Sequence, residues 1–148
     1  MCFVSQSSSP EIVTLPFLFA SLLAATAPQA GGAVEIRFTG ARPGGPIMVQ
    51  LCTEAEFMRA CRFQTIVQVP ASGAPVARFN GVPAGRYAVA SFQDVNSDER
   101  LNFGMMGAPS EPWGYSRGAR GVMGPPRFAD AAVNVGADGG VIPVALGL

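Results

Sequence analysis

Apolar residues in this chain recur at every second position in short runs, and glycine or proline closes most of them. Val34–Thr39 (VEIRFT) places Val34, Ile36 and Phe38 on one side, and Ile47–Cys52 (IMVQLC) does the same with Ile47, Val49 and Leu51. Successive side chains of a strand point to opposite faces, so this pattern marks half-buried strands and does not fit a helix. Further runs stand at Gln64–Val69, Val76–Asn80, Arg86–Gln93, Ala132–Val135 and Val141–Leu146, and GADGG between the last two is a hairpin-turn signal. In Arg86–Gln93, Tyr87 and Val89 face one way and Ala88, Ala90 and Phe92 the other. About seven short strands at regular turn intervals predict an all-β fold, a single antiparallel β-sandwich. With 49% hydrophobic and 14% charged residues the chain can bury a core, and 18 Gly and 13 Pro argue against a helical bundle.

Composition removes several function classes. The chain contains no histidine, which excludes Ser–His–Asp and Cys–His catalysis and His-ligated zinc. Its ten basic residues are all arginine and are balanced by ten acidic ones. A net charge of zero gives no electrostatic reason for nucleic acid or an anionic membrane as partner.

Ile12–Ala27 (IVTLPFLFASLLAATA) is an apolar run interrupted by Pro16 and followed by small residues, the pattern of a secretory signal. Residues 1–30 are therefore read as a signal peptide with cleavage after Ala30, and residues 31–148 as the β-sandwich domain. The segment before the run carries no basic residue, which is atypical of a signal, and a buried N-terminal helix is the competing reading. The expected location is the periplasm or the exterior, with no transmembrane anchor after processing. Removal of Cys2 leaves Cys52 and Cys61, an even pair that suggests a disulfide in an exported domain, with two buried free thiols as the alternative. Between them, Thr53 and Glu56 stand at capping-box spacing and predict one or two helical turns.

Gly81–Val89 (GVPAGRYAV) joins a Pro-Ala-Gly turn to a tyrosine. Tyr87 can bury its ring and return its hydroxyl to the turn backbone, as in a tyrosine corner, and is read as structural.

Three ordered pieces carry a resemblance to a known family. PAGRYAVASFQDVNSD, LNFGMMGAPSEPWGYS and GPPRFADAAVNV are similar to the successive motifs of the bacterial family called domain of unknown function 2141. The resemblance runs from about Val34 to Leu146. It implies an exported protein with an immunoglobulin-like or prealbumin-like sandwich and no assigned activity. Gln93 stands where the family often has His, and Glu99 where it often has Gly.

Two stretches hold candidate sites. Asp94, Asn96 and Asp98 alternate like the first ligands of a calcium loop, which offers hard oxygens at positions one, three and five. The loop lacks Gly at position six and a bidentate Glu at position twelve, where Met105 stands, so calcium would need a carboxylate from elsewhere, such as Glu111. A connection held by its own Asx side chains, with no cofactor, is the competing reading.

Phe103–Asp130 reads as one long ordered loop without periodicity, and connections of that length are usually functional or disordered. Glu111, Trp113 and Tyr115 are its candidate binding residues, with Arg117, Arg120 and Arg127 at the rim. A lid that packs its own apolar residues is the plainer possibility. The function expected is a non-catalytic accessory or binding module for an envelope protein, peptide or carbohydrate. The alternative is a small glycosidase-like hydrolase pairing Glu111 with Asp94 or Asp98.

Overall fold

The computed structural model describes residues 30–148; the expected signal peptide falls almost wholly on residues 1–29, outside them. The first strand, β1 (Gly32–Thr39), buries Val34, Ile36 and Phe38, and β2 (Ile47–Cys52) buries Ile47, Val49 and Leu51, as alternation requires. They are followed by β3 (Phe63–Val67), β4 (Val76–Val82) and β5 (Gly85–Gln93). Next come β6 (Trp113–Tyr115), a 3-10 turn at Ser116–Gly118 and one short helix, α1 (Phe128–Ala131). β7 (Val133–Val135) and β8 (Gly139–Ala145) close the fold.

The strands form two sheets. The smaller has the order β4-β1-β8 and the larger β3-β2-β5-β6, with β7 also on β5. β5 is long enough to pair twice along one edge, with β7 through Gly85–Tyr87 and with β6 through Ala90–Phe92. Buried residues of both sheets make one apolar cluster, among them Ile36, Phe38, Leu51, Phe79, Val89, Ile142 and Val144. Each fully buried side chain of this size contributes roughly 1.5–3 kcal/mol over its exposed state.

Two expectations are corrected. The sheets are not wholly antiparallel: β1 and β8 run parallel from Ala33↔Gly139 to Thr39↔Ala145. A tight turn with Gly136 and Gly139 paired carries the chain from β7 in the larger sheet to β8 in the smaller one. The connection after Phe103 is not one loop either. It contains β6, which finds the free edge of β5, then the 3-10 turn and α1.

The tyrosine corner forms. Tyr87 is buried, and its hydroxyl donates to the Pro83 carbonyl at 3.0 Å. Burial of the ring pushes its hydroxyl pKa up, so it remains a donor. Cys52 and Cys61 are joined by a disulfide with their Cα atoms 5.1 Å apart. The intervening segment makes a single i,i+4 turn, with the Phe57 N–H donating to the Thr53 carbonyl at 3.0 Å, which does not extend into a helix. Only the Glu arm of the box forms: Glu56 accepts the Thr53 N–H and hydroxyl at 3.1 and 2.9 Å.

Candidate functional site

The outer face of the larger sheet is covered over only part of its area. Near the disulfide, Phe57 and the segment around α1 pack on it in a second apolar cluster of Ala88, Ala119, Phe128, Ala131 and Ala132. Beyond that cover lies a groove of about 710 Å³. Register explains its floor. Ile66 pairs with Met48, Met48 with Phe92, and Phe92 with Trp113, so four outward side chains form a row across β3, β2, β5 and β6. A parallel row runs Gln64, Gln50, Ala90 and Tyr115. One row is apolar and the other largely amide and hydroxyl. Met58 and Arg59 of the disulfide segment and Glu99 and Leu101 of the loop after β5 also line the groove.

The two aromatic residues singled out in the sequence both reach this groove. Trp113 and Tyr115 are two apart on β6 and meet edge to face, with centroids 5.7 Å apart. Gly114 between them points inward, where a Cβ would collide with the Ala145 carbonyl oxygen. The spacing Trp-Gly-Tyr is thus a minimal strand, large residues outward and none inward. Arg120 stacks over the Trp113 ring at 4.0 Å, a cation–π contact that fixes the indole from one side. The other two expected rim arginines lie elsewhere: Arg127 pairs with Asp130, and Arg117 reaches the Ala132 carbonyl. Burial raises the Tyr115 hydroxyl pKa, so this group is a hydrogen-bonding phenol at neutral pH.

Glu111 is placed differently. It is 5% exposed, and its two carboxylate oxygens accept the backbone N–H groups of Val95 at 2.8 Å and Asn102 at 3.1 Å. Asp94 does the same from inside the loop, accepting from Asp98 N at 3.0 Å and Glu99 N at 2.8 Å. The exposed members close the network: Asn102 donates to Asp98 at 2.9 Å and Asn96 to Asp98 at 3.2 Å. The Asn102 amide is the main reason the Asp98 carboxyl lies below its ordinary pKa, with smaller help from the Arg100 N–H and Asn96.

Asp94 and Asp98 thus accept the loop's own amide donors. Among the described residues no three His, Cys, Asp or Glu side chains cluster as metal ligands. Gln93, fully buried, ties the start of this loop to the turn before β2, donating to the Arg42 carbonyl and accepting the Arg42 N–H at 2.8 Å.

Met48, Ile66 and Phe92 were not among the expected site residues. Their signal was present, since each is apolar at an outward position of an alternating strand where a solvated face would carry polar groups.

Comparison with known proteins adds one match: the family described as uncharacterized protein conserved in bacteria (DUF2141) covers residues 26–142. No curated protein and no solved structure matches the chain.

Proposed function

This chain belongs to the DUF2141 family of bacterial proteins, and we propose that it is an exported, non-catalytic binding module. In this reading its two sheets make a sandwich of immunoglobulin-like or prealbumin-like type, and a peptide or carbohydrate of the cell envelope lies in the groove on the larger sheet. The observation that carries the reading is the solvent-facing row Ile66–Met48–Phe92–Trp113, apolar where a purely structural sheet face would be polar. Flat aromatic and thioether surface beside the amides of Gln50 and Gln64 suits an uncharged ligand with both apolar and hydrogen-bonding edges. The disulfide is consistent with an oxidising compartment. The hydrolase alternative is disfavoured because Asp94 and Glu111 each have both oxygens bonded to backbone amides.

Trp113 is the single tryptophan, so its emission reports on the groove. Titration with neutral oligosaccharides and with uncharged apolar peptides should give a saturable emission change with one panel. The change should disappear in Phe92→Asp while the melting temperature is held. Silence of both panels, or equal binding by Phe92→Asp, would refute the reading.

A further inference from the structure

Among the described residues β3 pairs only with β2, so one of its edges presents unpaired N–H and C=O groups. Exposed edges template pairing with another strand, and proteins usually blunt them with charge, proline or cover. Three other outer strands are blunted. β4 carries Arg78, β8 carries Pro143, and β6 is closed by reciprocal main-chain bonds between Trp113 and Gly147 at 2.9 and 3.0 Å. β3 has none of these devices. Its sequence is Phe-Gln-Thr-Ile-Val, without charge, proline or glycine and built of good strand formers. Ile66 on it is 53% exposed.

We infer that the β3 edge is an interface for a second copy of this chain, joined antiparallel about a twofold axis at Thr65. Opposed residues of an antiparallel pair share a face, so only registers that keep the burial alternation are allowed, and the one centred on Thr65 pairs the whole strand. It sets Phe63 against Val67 of the partner copy on the inner face, extending the contacts that Phe63 already makes with Phe79 and Tyr87. On the outer face each Ile66 stands opposite a Gln64 and diagonal to the other Ile66, which covers both. Arg62, the nearest charged residue before the strand, falls opposite the neutral Gln68, and a net charge of zero adds no repulsion between copies.

The pairing would join the two larger sheets into one and set their grooves side by side. A five-residue ladder buries less than the roughly 1,000 Å² typical of stable complexes, so the association is weak and concentration-dependent. The interface shares Ile66 with the row that lines the groove.

Sedimentation over a wide concentration range tests this. The mass should rise from that of one mature chain toward twice that value. Ile66→Lys, at a solvent-facing position, should stay at the monomer mass at every concentration with its melting temperature unchanged. Thr65→Cys should form an intermolecular disulfide that reductant removes. A monomer at all concentrations, or a dimer surviving Ile66→Lys, overturns the inference. A protein that stays monomeric while a synthetic peptide of the Phe63–Val67 sequence shifts its β3 amide resonances also overturns it, and assigns the edge to foreign strands.

Discussion

Glu111 accepts the backbone N–H of Val95 at 2.8 Å, so a carboxylate that precedes β6 holds the first turn of the loop that follows β5. Its other oxygen holds Asn102, near the end of the same loop. Glu111→Gln keeps the shape but turns an acceptor into a donor facing a donor. Leaving a buried amide unpaired costs about 1–3 kcal/mol, which chemical denaturation should read as a lower midpoint. A variant as stable as wild type would show that the clamp contributes nothing.

The Asp94–Asn102 loop is expected to hold itself without an ion. Millimolar calcium or a chelator should leave the melting temperature of the purified protein unchanged, because Asp94 and Asp98 already accept amide donors. A rise with calcium that Asp98→Ala abolishes would reverse this expectation and restore the calcium-loop reading.

Glu99 has φ 62° and Ser97 φ 59°, left-handed backbone that a side chain disfavours. Glu99→Gly removes that strain while keeping the N–H bond to Asp94. Offset by the greater entropy of an unfolded glycine, it should leave stability equal or raised by up to about 1 kcal/mol, whereas Glu99→Val should lower it. Equal effects of the two would remove backbone strain as the explanation.

Acid should destabilise the fold in a defined window. Asp98, held down chiefly by the Asn102 amide, and Glu56, held down by the Thr53 N–H and hydroxyl, both have folded pKa values below their ordinary ones. A depressed carboxylate stabilises above its unfolded pKa and loses that contribution as pH falls through the folded value. The melting temperature should therefore be flat from about pH 7 to 5 and fall below about pH 4. Asp98→Asn should make that fall shallower, and an unchanged slope would count against the assignment.

Cys52 and Cys61 close a short loop, and opening it by Cys52→Ser with Cys61→Ser should cost about 2–3 kcal/mol by the chain-entropy account. Denaturation of wild type in reductant should give the same midpoint as the double variant. Because Met58 and Arg59 of this segment line the groove, Trp113 emission should shift in both.

Much of the fold was legible because a strand declares itself locally. The alternation of Ile47, Val49 and Leu51 marked β2 to its observed ends, and Pro-Ala-Gly before Tyr87 marked the tyrosine corner. The family and the Cys52–Cys61 bridge were legible too. β6 escaped because three residues are too few for a period. Its Trp-Gly-Tyr pattern acquires meaning only when the Ala145 carbonyl is seen to fill the space beside Gly114.

The metal and acid–base readings rested on residue type, whereas the donors that meet each carboxylate are set by tertiary contacts. Asp94 and Glu111 accept backbone amides up to 16 residues away, partners that residue type alone does not reveal. The groove likewise exists only because register aligns Ile66, Met48, Phe92 and Trp113 from four separate strands.

Side-chain direction along a strand follows from the pleat, a property of neighbouring residues, so the sequence alone determined the strands other than β6, their inward faces and the tyrosine turn. Which strands become neighbours, whether β8 runs with or against β1, and which donors meet a buried carboxylate depend on contacts between distant residues, and only the tertiary structure decided them.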